Sequence, residues 1–309
     1  MARLITVQTR VPAGETEWDF TVPAGHTCGF ITYEGVTHSV STQVRLRLGT
    51  GGTFDTGASD YVRVHNSTLI NGVVSAQAFL QTYDNIFTGP YDFVGNLWGF
   101  NTSGARMIIE TQMNTANNAG NHRRTIGYDI NTGTRDQVRV LLFAGTGTGG
   151  LITLTTWKRT CVLFSHTFGG ESEADFTNLQ KYSMLVGTGH ALAPAGSSRP
   201  ALRFGVSNTV FDAGATDYAT FRSTTRTLTP EWSPLPTASA GTRAFAFILS
   251  GFNKATPTIC RGMELSTGAT GVQVCSGNRV TAQAERALRV ACLTSTYTSG
   301  EAQVMAFKI

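Results

Sequence analysis

The chain has 309 residues, enough for two domains of about 150 residues with a core each. Only 14% of the residues are charged, against roughly 25% in an ordinary soluble domain, and Gly, Thr, Ser and Ala take their place. The net charge of +4 is spread along the chain without a cluster of Lys and Arg among aromatics, which argues against nucleic acid as a partner.

The apolar runs are short and are interrupted by Gly or Thr, so no membrane-spanning segment and no membrane partner are expected. Residues 1–8 lack the apolar centre of a signal peptide, so synthesis and assembly in the cytoplasm are expected. The odd number of cysteines predicts mostly buried free thiols, with a bond between Cys260 and Cys275 as the alternative. The five are Cys28, Cys161, Cys260, Cys275 and Cys292.

Residues 1–16 are predicted to form an extended N-terminal arm, and short alternating strands follow from residue 18 to the end of the chain. Turn residues separate the strands, and helix is expected nowhere beyond a single turn. Many short strands at a spacing of about 8–15 residues are typical of a sandwich or jelly roll. The predicted strands are 18–23, 29–33, 43–48, 61–65, 77–80, 93–100, 106–112, 124–130, 138–143 and 151–157, and then 162–168, 182–186, 201–206, 218–223, 244–249, 258–264, 272–275, 287–293 and 302–309.

An eight-residue motif occurs twice in the chain. Residues 54–61 read Phe-Asp-Thr-Gly-Ala-Ser-Asp-Tyr and residues 211–218 read Phe-Asp-Ala-Gly-Ala-Thr-Asp-Tyr. Residues 138–158 also align without a gap with 288–308, whereas the strands before the motif, 44–49 and 200–205, align only with a displacement of one residue. An internal repeat determines the architecture. We therefore predict an all-β chain of two tandem antiparallel β-sandwich or jelly-roll domains, residues 17–159 and 160–309, after the arm.

The simplest interpretation of the motif is a tight turn. Asp55 and Asp212 would cap the turns with their side chains, and Gly57 and Gly214 would supply the permissive backbone. The repeated pairs at the end of the motif, Asp60-Tyr61 and Asp217-Tyr218, would belong to the same turns.

The alternative interpretation is catalytic. Phe-Asp-Thr-Gly-Ala-Ser resembles the active-site loop of pepsin-like aspartic proteases, in which one Asp from each lobe shares a proton and activates water. Asp55 and Asp212 would be that pair. However, Ala213 replaces the hydroxyl residue in the second copy, and neither half has the apolar-apolar-Gly strand of these enzymes. We therefore expect no enzymatic activity and no catalytic residues, with the protease as the less favoured alternative.

Neither a cofactor nor a metal is expected. Residues 145–150 fit G-x-G-x-x-G, but a strand follows where a dinucleotide site needs a helix, which predicts a hairpin turn. Residues 129–133 lack the acidic positions of a calcium loop, and the six histidines are scattered.

Candidate contact residues lie in the arm and in loops. Leu4, Ile5 and Val7 could pair with the edge of a neighbouring sheet through backbone hydrogen bonds. The Gly, Ala, Pro and Ser-rich segment 187–200 is predicted to be an exposed contact loop. Trp232 and Tyr297, in or beside turns, are candidates for stacking on sugars.

The repeated pattern resembles small structural proteins of tailed bacteriophages. It consists of an alternating strand, a Gly-rich turn, Phe-Asp-x-Gly-Ala-x-Asp-Tyr, a medial strand ending at 98–101 or 250–253, and a closing strand, Gly-turn and strand. The resemblance implies jelly-roll or lectin-like sandwiches in a non-enzymatic virion component: a tail fibre, a collar or head spike, or a capsid decoration. Such proteins usually carry one copy, whereas here the pattern covers most of both halves.

The same resemblance implies the partners and the location. We expect a homo-oligomer, with a trimer as the expected state, that contacts other virion proteins and host surface polysaccharide. The expected location is the virion, after assembly in the cytoplasm of the host bacterium. A carbohydrate-binding module is the alternative from a different functional class.

Overall fold

The computed structural model describes residues 5–66, 80–81, 90–115, 123–222, 225–233, 240–254, 256–266, 273–281 and 283–308. All regular secondary structure in these ranges is β-strand, in antiparallel sheets. The chain divides into two compact units, Met1–Thr160 (unit 1) and Cys161–Ile309 (unit 2). The predicted all-β class and sandwich architecture are confirmed.

Unit 1 has a larger and a smaller sheet. The larger has the order β1-β12-β3-β8-β9-β10-β6, and the smaller has the order β2-β11-β4-β5, with β7 pairing β4. The strands are β1 (Ile5–Arg10), β2 (Glu17–Thr21), β3 (Cys28–His38), β4 (Val44–Thr50), β5 (Thr53–Phe54), β6 (Tyr61–Asn66), β7 (Leu80–Gln81), β8 (Tyr91–Trp98), β9 (Ile108–Thr115), β10 (Arg123–Asp129), β11 (Gln137–Leu142) and β12 (Gly147–Trp157).

Unit 2 repeats this order strand for strand. Its larger sheet is β13-β23-β15-β19-β20-β21-β17, with β18 added beyond β17, and its smaller sheet is β14-β22-β16. The bridges Gly205↔Phe211 and Leu202↔Trp232 take the places of the β4–β5 and β4–β7 pairings. The strands are β13 (Cys161–Thr167), β14 (Glu173–Phe176), β15 (Met184–Pro194), β16 (Pro200–Gly205), β17 (Tyr218–Arg222), β18 (Thr225–Thr229), β19 (Arg243–Ser250), β20 (Ile259–Ser266), β21 (Gln273–Arg279), β22 (Ala287–Cys292) and β23 (Tyr297–Phe307).

Each unit buries one core between its two sheets. Alternate residues of a strand face opposite sides of its sheet, so every second residue points into the core. In unit 1 the smaller sheet contributes Trp18, Phe20, Leu46 and Val140, and the larger contributes Ile31, Tyr33, Phe93, Leu97, Ile152 and Leu154.

The predicted arm is a strand of unit 1. Ile5–Arg10 pairs in continuous register with β12 at the edge of the larger sheet, where β13 lies in unit 2. The side chains of Gln8 and Arg10 also reach the backbone of β2, with Arg10 donating to the Asp19 carbonyl at 2.9 Å. The repeat therefore begins with β1, and the prediction of a separate arm over 1–16 was wrong for these residues.

The predicted contact loop 187–200 is mostly a strand. β15 runs through to Pro194, which leaves only residues 195–199 as the connection to β16. A Cβ on Gly187 would lie 2.3 Å from Phe247 Cζ, and one on Gly189 would lie 2.3 Å from Phe245 Cε1. These glycines make room for aromatic rings of β19. The loop was predicted from the glycine content alone, which does not distinguish a loop from a closely packed strand.

Two smaller expectations are also corrected. β11 and β12 belong to different sheets, so residues 143–146 cross between sheets instead of closing a hairpin, and 147–150 form the bulged start of β12. The strands β4 and β16 are in the same register, because Leu46 faces Val140 as Leu202 faces Val290. The one-residue displacement between these strands in the sequence alignment arises because the turn before the motif has five residues in unit 2, 206–210, and four in unit 1, 50–53.

Candidate functional site

Both copies of the motif form the same turn. The Asp60 carboxylate accepts a hydrogen bond from Gly57 N at 2.6 Å, and Asp217 accepts one from Gly214 N at 2.6 Å. A Cβ on Gly57 would lie 2.7 Å from Asp60 Oδ1, and neither glycine has a positive φ. The turns are therefore capped by Asp60 and Asp217, not by the first motif Asp as predicted, and the glycines supply space.

The motif tyrosines attach each turn to the neighbouring strand of the smaller sheet. The buried Tyr61 hydroxyl accepts a hydrogen bond from Leu48 N at 2.7 Å, and Tyr218 accepts one from Phe204 N at 2.6 Å. Burial raises the pKa of both phenols well above the ordinary value, so they stay neutral.

Asp55 and Asp212, the candidate protease pair, each bind an arginine of their own unit. Arg135 Nη2 lies 2.6 Å from Asp55 Oδ2, and Arg279 Nη2 lies 2.5 Å from Asp212 Oδ2. Each guanidinium also binds a second, fully buried acid. Arg135 Nε lies 2.6 Å from Asp129, and in unit 2 the distance from Arg279 Nη1 to Glu285 is 3.1 Å. We call these two three-residue groups the ion clusters.

The second acid and the arginine have exchanged places between the units. Asp129 is paired across the sheet with Tyr61, and Arg279 is paired in the same way with Tyr218. Extending the alignment of 138–158 with 288–308 upstream places Asp129 over Arg279 and Arg135 over Glu285. Sequence reasoning missed both arginines, although this extension would have revealed the exchange.

Asp129, Asp212 and Glu285 in the ion clusters have raised pKa values. Burial raises the pKa of Asp129 to about 7, against the opposing effect of Arg135, and the nearby Asp55 acts in the same direction as burial. Burial also raises the pKa values of Asp212 and Glu285, with Arg279 opposing in both cases. Burial is the main cause of all three shifts, and only at Asp129 does the second carboxylate of the same cluster add to it.

A second repeated contact lies on the outward side of the smaller sheets. Arg139 binds Asp19 at 2.7 and 2.8 Å and Glu17 at 3.0 Å, with its guanidinium 4.2 Å above the ring of Phe54. Arg289 repeats this arrangement with Asp175, Glu173 and the ring of Phe211. The outward positions of this sheet in unit 1 include five charged residues, which we call the charged face: Glu17, Asp19, Arg45, Arg47 and Arg139.

The outward side of the larger sheet of unit 1 includes a patch of uncharged residues. On β1, β12, β3 and β8, ten neighbouring outward positions are uncharged and at least partly exposed, whereas Cys28 and Trp98 on the same side are buried and Glu34 and Asp92 beyond the patch are exposed and charged. This neutral face consists of Ile5 and Trp157; Val7, Thr155, Phe30 and Asn96; and Thr9, Thr153, Thr32 and Val94.

The predicted assembly and sugar-binding residues have different outcomes. Ile5 and Val7 are 57% and 58% exposed at the edge of the neutral face, and Leu4 lies outside the described residues. Trp232 and Tyr297 are 1% and 0% exposed. The Trp232 indole packs where Gly262 and Gly277 leave room, and Tyr297 packs edge-on to Phe168 at 4.8 Å. The prediction of sugar stacking by these two rings was wrong, since both belong to the core of unit 2.

Cys28, Cys161, Cys260 and Cys292 form no disulfide bond, so the alternative bond of Cys260 is not formed. Over the described residues, no group of His, Cys, Asp and Glu could hold a metal ion, and no helix is long and apolar enough to cross a membrane. A groove of about 580 Å³ in unit 2 is lined by eight residues, none of them titratable, among them Ser250, Pro257, Ile259 and Asn278.

No protein-family model and no curated protein sequence matches this chain. The similarity to solved structures is remote, with TM-scores of 0.18 or less for the three described next. A conserved Pseudomonas aeruginosa protein is 8% identical, with 98% of this chain and 80% of that chain covered and a TM-score of 0.18. A chain of the Sulfolobus turreted icosahedral virus is 9% identical, with 93% of this chain and 90% of that chain covered and a TM-score of 0.18. The VP2 chain of the infectious bursal disease virus subviral particle is 8% identical, with 99% of this chain and 81% of that chain covered and a TM-score of 0.11.

Proposed function

We propose that this chain is a non-enzymatic structural protein of a bacteriophage virion that assembles as a homo-oligomer on the particle. The observation that carries the proposal is the use of the repeated motif. In both units its polar side chains brace the fold: Asp60 and Asp217 cap turns, and the tyrosines hold strands. Duplicated, braced sandwiches make a rigid scaffold of the kind that the bacteriophage resemblance implies.

The ion clusters support the structural role over the protease alternative. In an aspartic protease the two carboxylates share one proton, which needs close contact between them. Here Asp55 and Asp212 each contact the guanidinium of an arginine of their own unit, at 2.6 and 2.5 Å. The motif Asp is retained in both units, and its arginine comes from a different position of the repeat in each, so what the repeat retains is the ion pair of this Asp.

Exposed apolar residues support assembly. Ile5 and Val7 are more than half exposed on a neutral face, and exposed apolar patches on soluble proteins mark interaction sites. The finer assignments, a tail fibre, a collar or head spike or a decoration protein, and a trimeric state, follow the sequence resemblance and are part of the proposal.

Gradient-purified particles of the phage that encodes the chain test the proposal. Quantitative mass spectrometry is expected to find the chain in the particle band at a fixed ratio to the major capsid protein. Detection of the chain in the infected lysate, combined with its absence from the particles, would contradict the proposal.

A further inference from the structure

The turn between β2 and β3 holds the segment that leads from unit 1 into unit 2. β12 ends at Trp157 and β13 begins at Cys161, so residues 158–160 connect the two units. The backbone nitrogen of Thr27 donates to the Trp157 carbonyl at 3.2 Å, and the Thr27 hydroxyl donates to the Arg159 carbonyl at 2.7 Å. The turn therefore fixes the start of the connection by two hydrogen bonds.

His26 lies in the same turn, and only one of its ring nitrogens has a hydrogen-bond partner. The side chain is 0% exposed, and its Nδ1 lies 2.9 Å from Thr156 Oγ1. Nε2 is buried without a hydrogen-bond partner among the residues that the structure describes. A protonated imidazole carries an N–H donor on each nitrogen, so protonation would place a charged donor in a buried site that offers it no acceptor.

The charges around the turn have the same sign as a protonated histidine. Lys158 Nζ lies 3.9 Å from the position of a Cβ on Gly25, the residue before His26, and Arg159 follows Lys158 in the connection. Burial lowers the pKa of His26 below its ordinary value of 6.5, the charge of Lys158 acts in the same direction, and the hydrogen bond with Thr156 opposes both. The closed turn therefore favours the neutral ring.

Unit 2 has the same turn without a histidine. The backbone nitrogen of Ser183 donates to the Phe307 carbonyl at 3.2 Å, as the corresponding residues do in unit 1. This correspondence places Tyr182 where unit 1 has the histidine and Ala306 where it has the threonine. Both members of the pair differ together, so the turn can form without them, and the titratable pair belongs to the copy in which it adjoins the connection.

We propose that His26 and Thr156 form an acid-sensitive latch on the connection 158–160. While the ring is neutral, this pair and the two hydrogen bonds of Thr27 keep the turn against the end of β12. When the ring takes up a proton, the cation requires water, and Lys158 repels it. The turn then separates from residues 156–159 by a local opening, which costs less than unfolding of the whole unit. The inference goes beyond the proposed function and does not depend on it.

The sign of the pH dependence follows from the two states of the latch. The closed latch binds the proton more weakly than the open latch does, in which His26 has its ordinary pKa of 6.5. The stabilisation of the closed latch is therefore complete above about pH 6.5 and is lost as pH falls below that value. At about pH 5 opening is expected to be favoured by up to roughly 30-fold, because each pH unit contributes up to a factor of about ten.

Hydrogen–deuterium exchange of the full chain tests the proposal. The protection of the Thr27 amide is compared at about pH 7.5 and about pH 5, after correction for the intrinsic exchange rates. Wild type is expected to lose protection by roughly 10- to 30-fold in acid. His26→Asn keeps a polar group at the position of Nδ1 but does not titrate, so the loss is expected to disappear. His26→Tyr combined with Thr156→Ala introduces the pair of unit 2 and is expected to behave in the same way.

His166→Asn is the matched control, since Nε2 of His166 in unit 2 is also buried. This variant is expected to lose protection of the Thr27 amide in acid as wild type does. The proposal is overturned if wild-type protection does not change, if the variants that lack His26 lose it equally, or if His166→Asn abolishes the loss. Circular dichroism at both pH values identifies a variant that does not fold, and the other variant without His26 then decides the outcome.

Discussion

Arg135 and Arg279 bind the first motif Asp from different positions of the repeat. Arg135 reaches Asp55 from the segment before β11, whereas Arg279 reaches Asp212 from the end of β21. Removing one partner of a buried ion pair destabilises the folded protein by about 3–5 kcal/mol, because the other charge stays buried without a partner. A substitution at one position of the pair therefore has to be accompanied by a substitution at the other. The exchange keeps both carboxylates of each cluster on a guanidinium.

Burial should decide how much each arginine contributes to stability. Arg135→Met leaves the fully buried Asp129 without its cation and is expected to lower the free energy of unfolding by about 3 kcal/mol or more at pH 8. Arg139→Met is the matched control, because Arg139 also binds two acids, but their side chains are 52% and 46% exposed. Its loss is expected to be about 1 kcal/mol or less. Guanidinium unfolding measures both, and equal losses would contradict the assignment of the brace to the ion cluster.

Asp129 predicts a pH dependence of stability with a definite sign. Its pKa in the folded state is raised from the ordinary 3.8 to about 7, so the folded state holds the proton more tightly than the unfolded state does. The resulting stabilisation is complete below about pH 4 and is lost as pH rises through about 7. Asp212 and Glu285 act with the same sign in unit 2.

The variant Asp129→Asn isolates this contribution. Between pH 5 and pH 8 the wild-type free energy of unfolding is expected to fall relative to that of the variant, whose side chain cannot ionise. Urea unfolding at several pH values measures the difference. A difference that stays constant, or changes with the opposite sign, would show that the pKa of Asp129 is not raised.

At the scale of elements, glycines in β15 permit close packing with β19. A Cβ on Gly187 would meet Phe247 Cζ at 2.3 Å and the Gln303 carbonyl oxygen at 2.6 Å. A ring can turn aside, but the backbone of β23 cannot move without disturbing its pairing with β15. The same composition at the end of β15 does form a connection, over 195–199.

Two alanine substitutions separate the packed strand from the connection. Gly187→Ala is expected to lower the free energy of unfolding by about 1–3 kcal/mol through overpacking. Gly196→Ala is the control, since its Cβ would meet nothing closer than Ser295 Oγ at 3.6 Å, and its effect is expected to lie within about 0.5 kcal/mol of zero. Thermal unfolding compares the two. Equal stability of both variants would mean that segment 187–194 is not held against β19.

At the scale of the whole molecule, the fold class could be predicted from the sequence, whereas most side-chain contacts could not. Alternation and turn residues are local, so the all-β sandwich followed from them and is confirmed. The partner of Asp55 could not be predicted locally, because Arg135 lies in a segment far along the chain. Trp232 was predicted to lie in or beside a turn, yet the indole fills space left by Gly262 and Gly277. Burial of a single ring depends on such distant small residues, which no local pattern records.

The assembly proposal is most directly tested by the molar mass of the purified wild-type chain, measured by light scattering at several concentrations. The account predicts a mass that exceeds 33.1 kDa and rises with concentration towards an integer multiple of it. A mass of 33.1 kDa at every concentration, together with acid-pH hydrolysis of a protein substrate that Asp55→Asn abolishes, would contradict it in favour of a two-lobed protease.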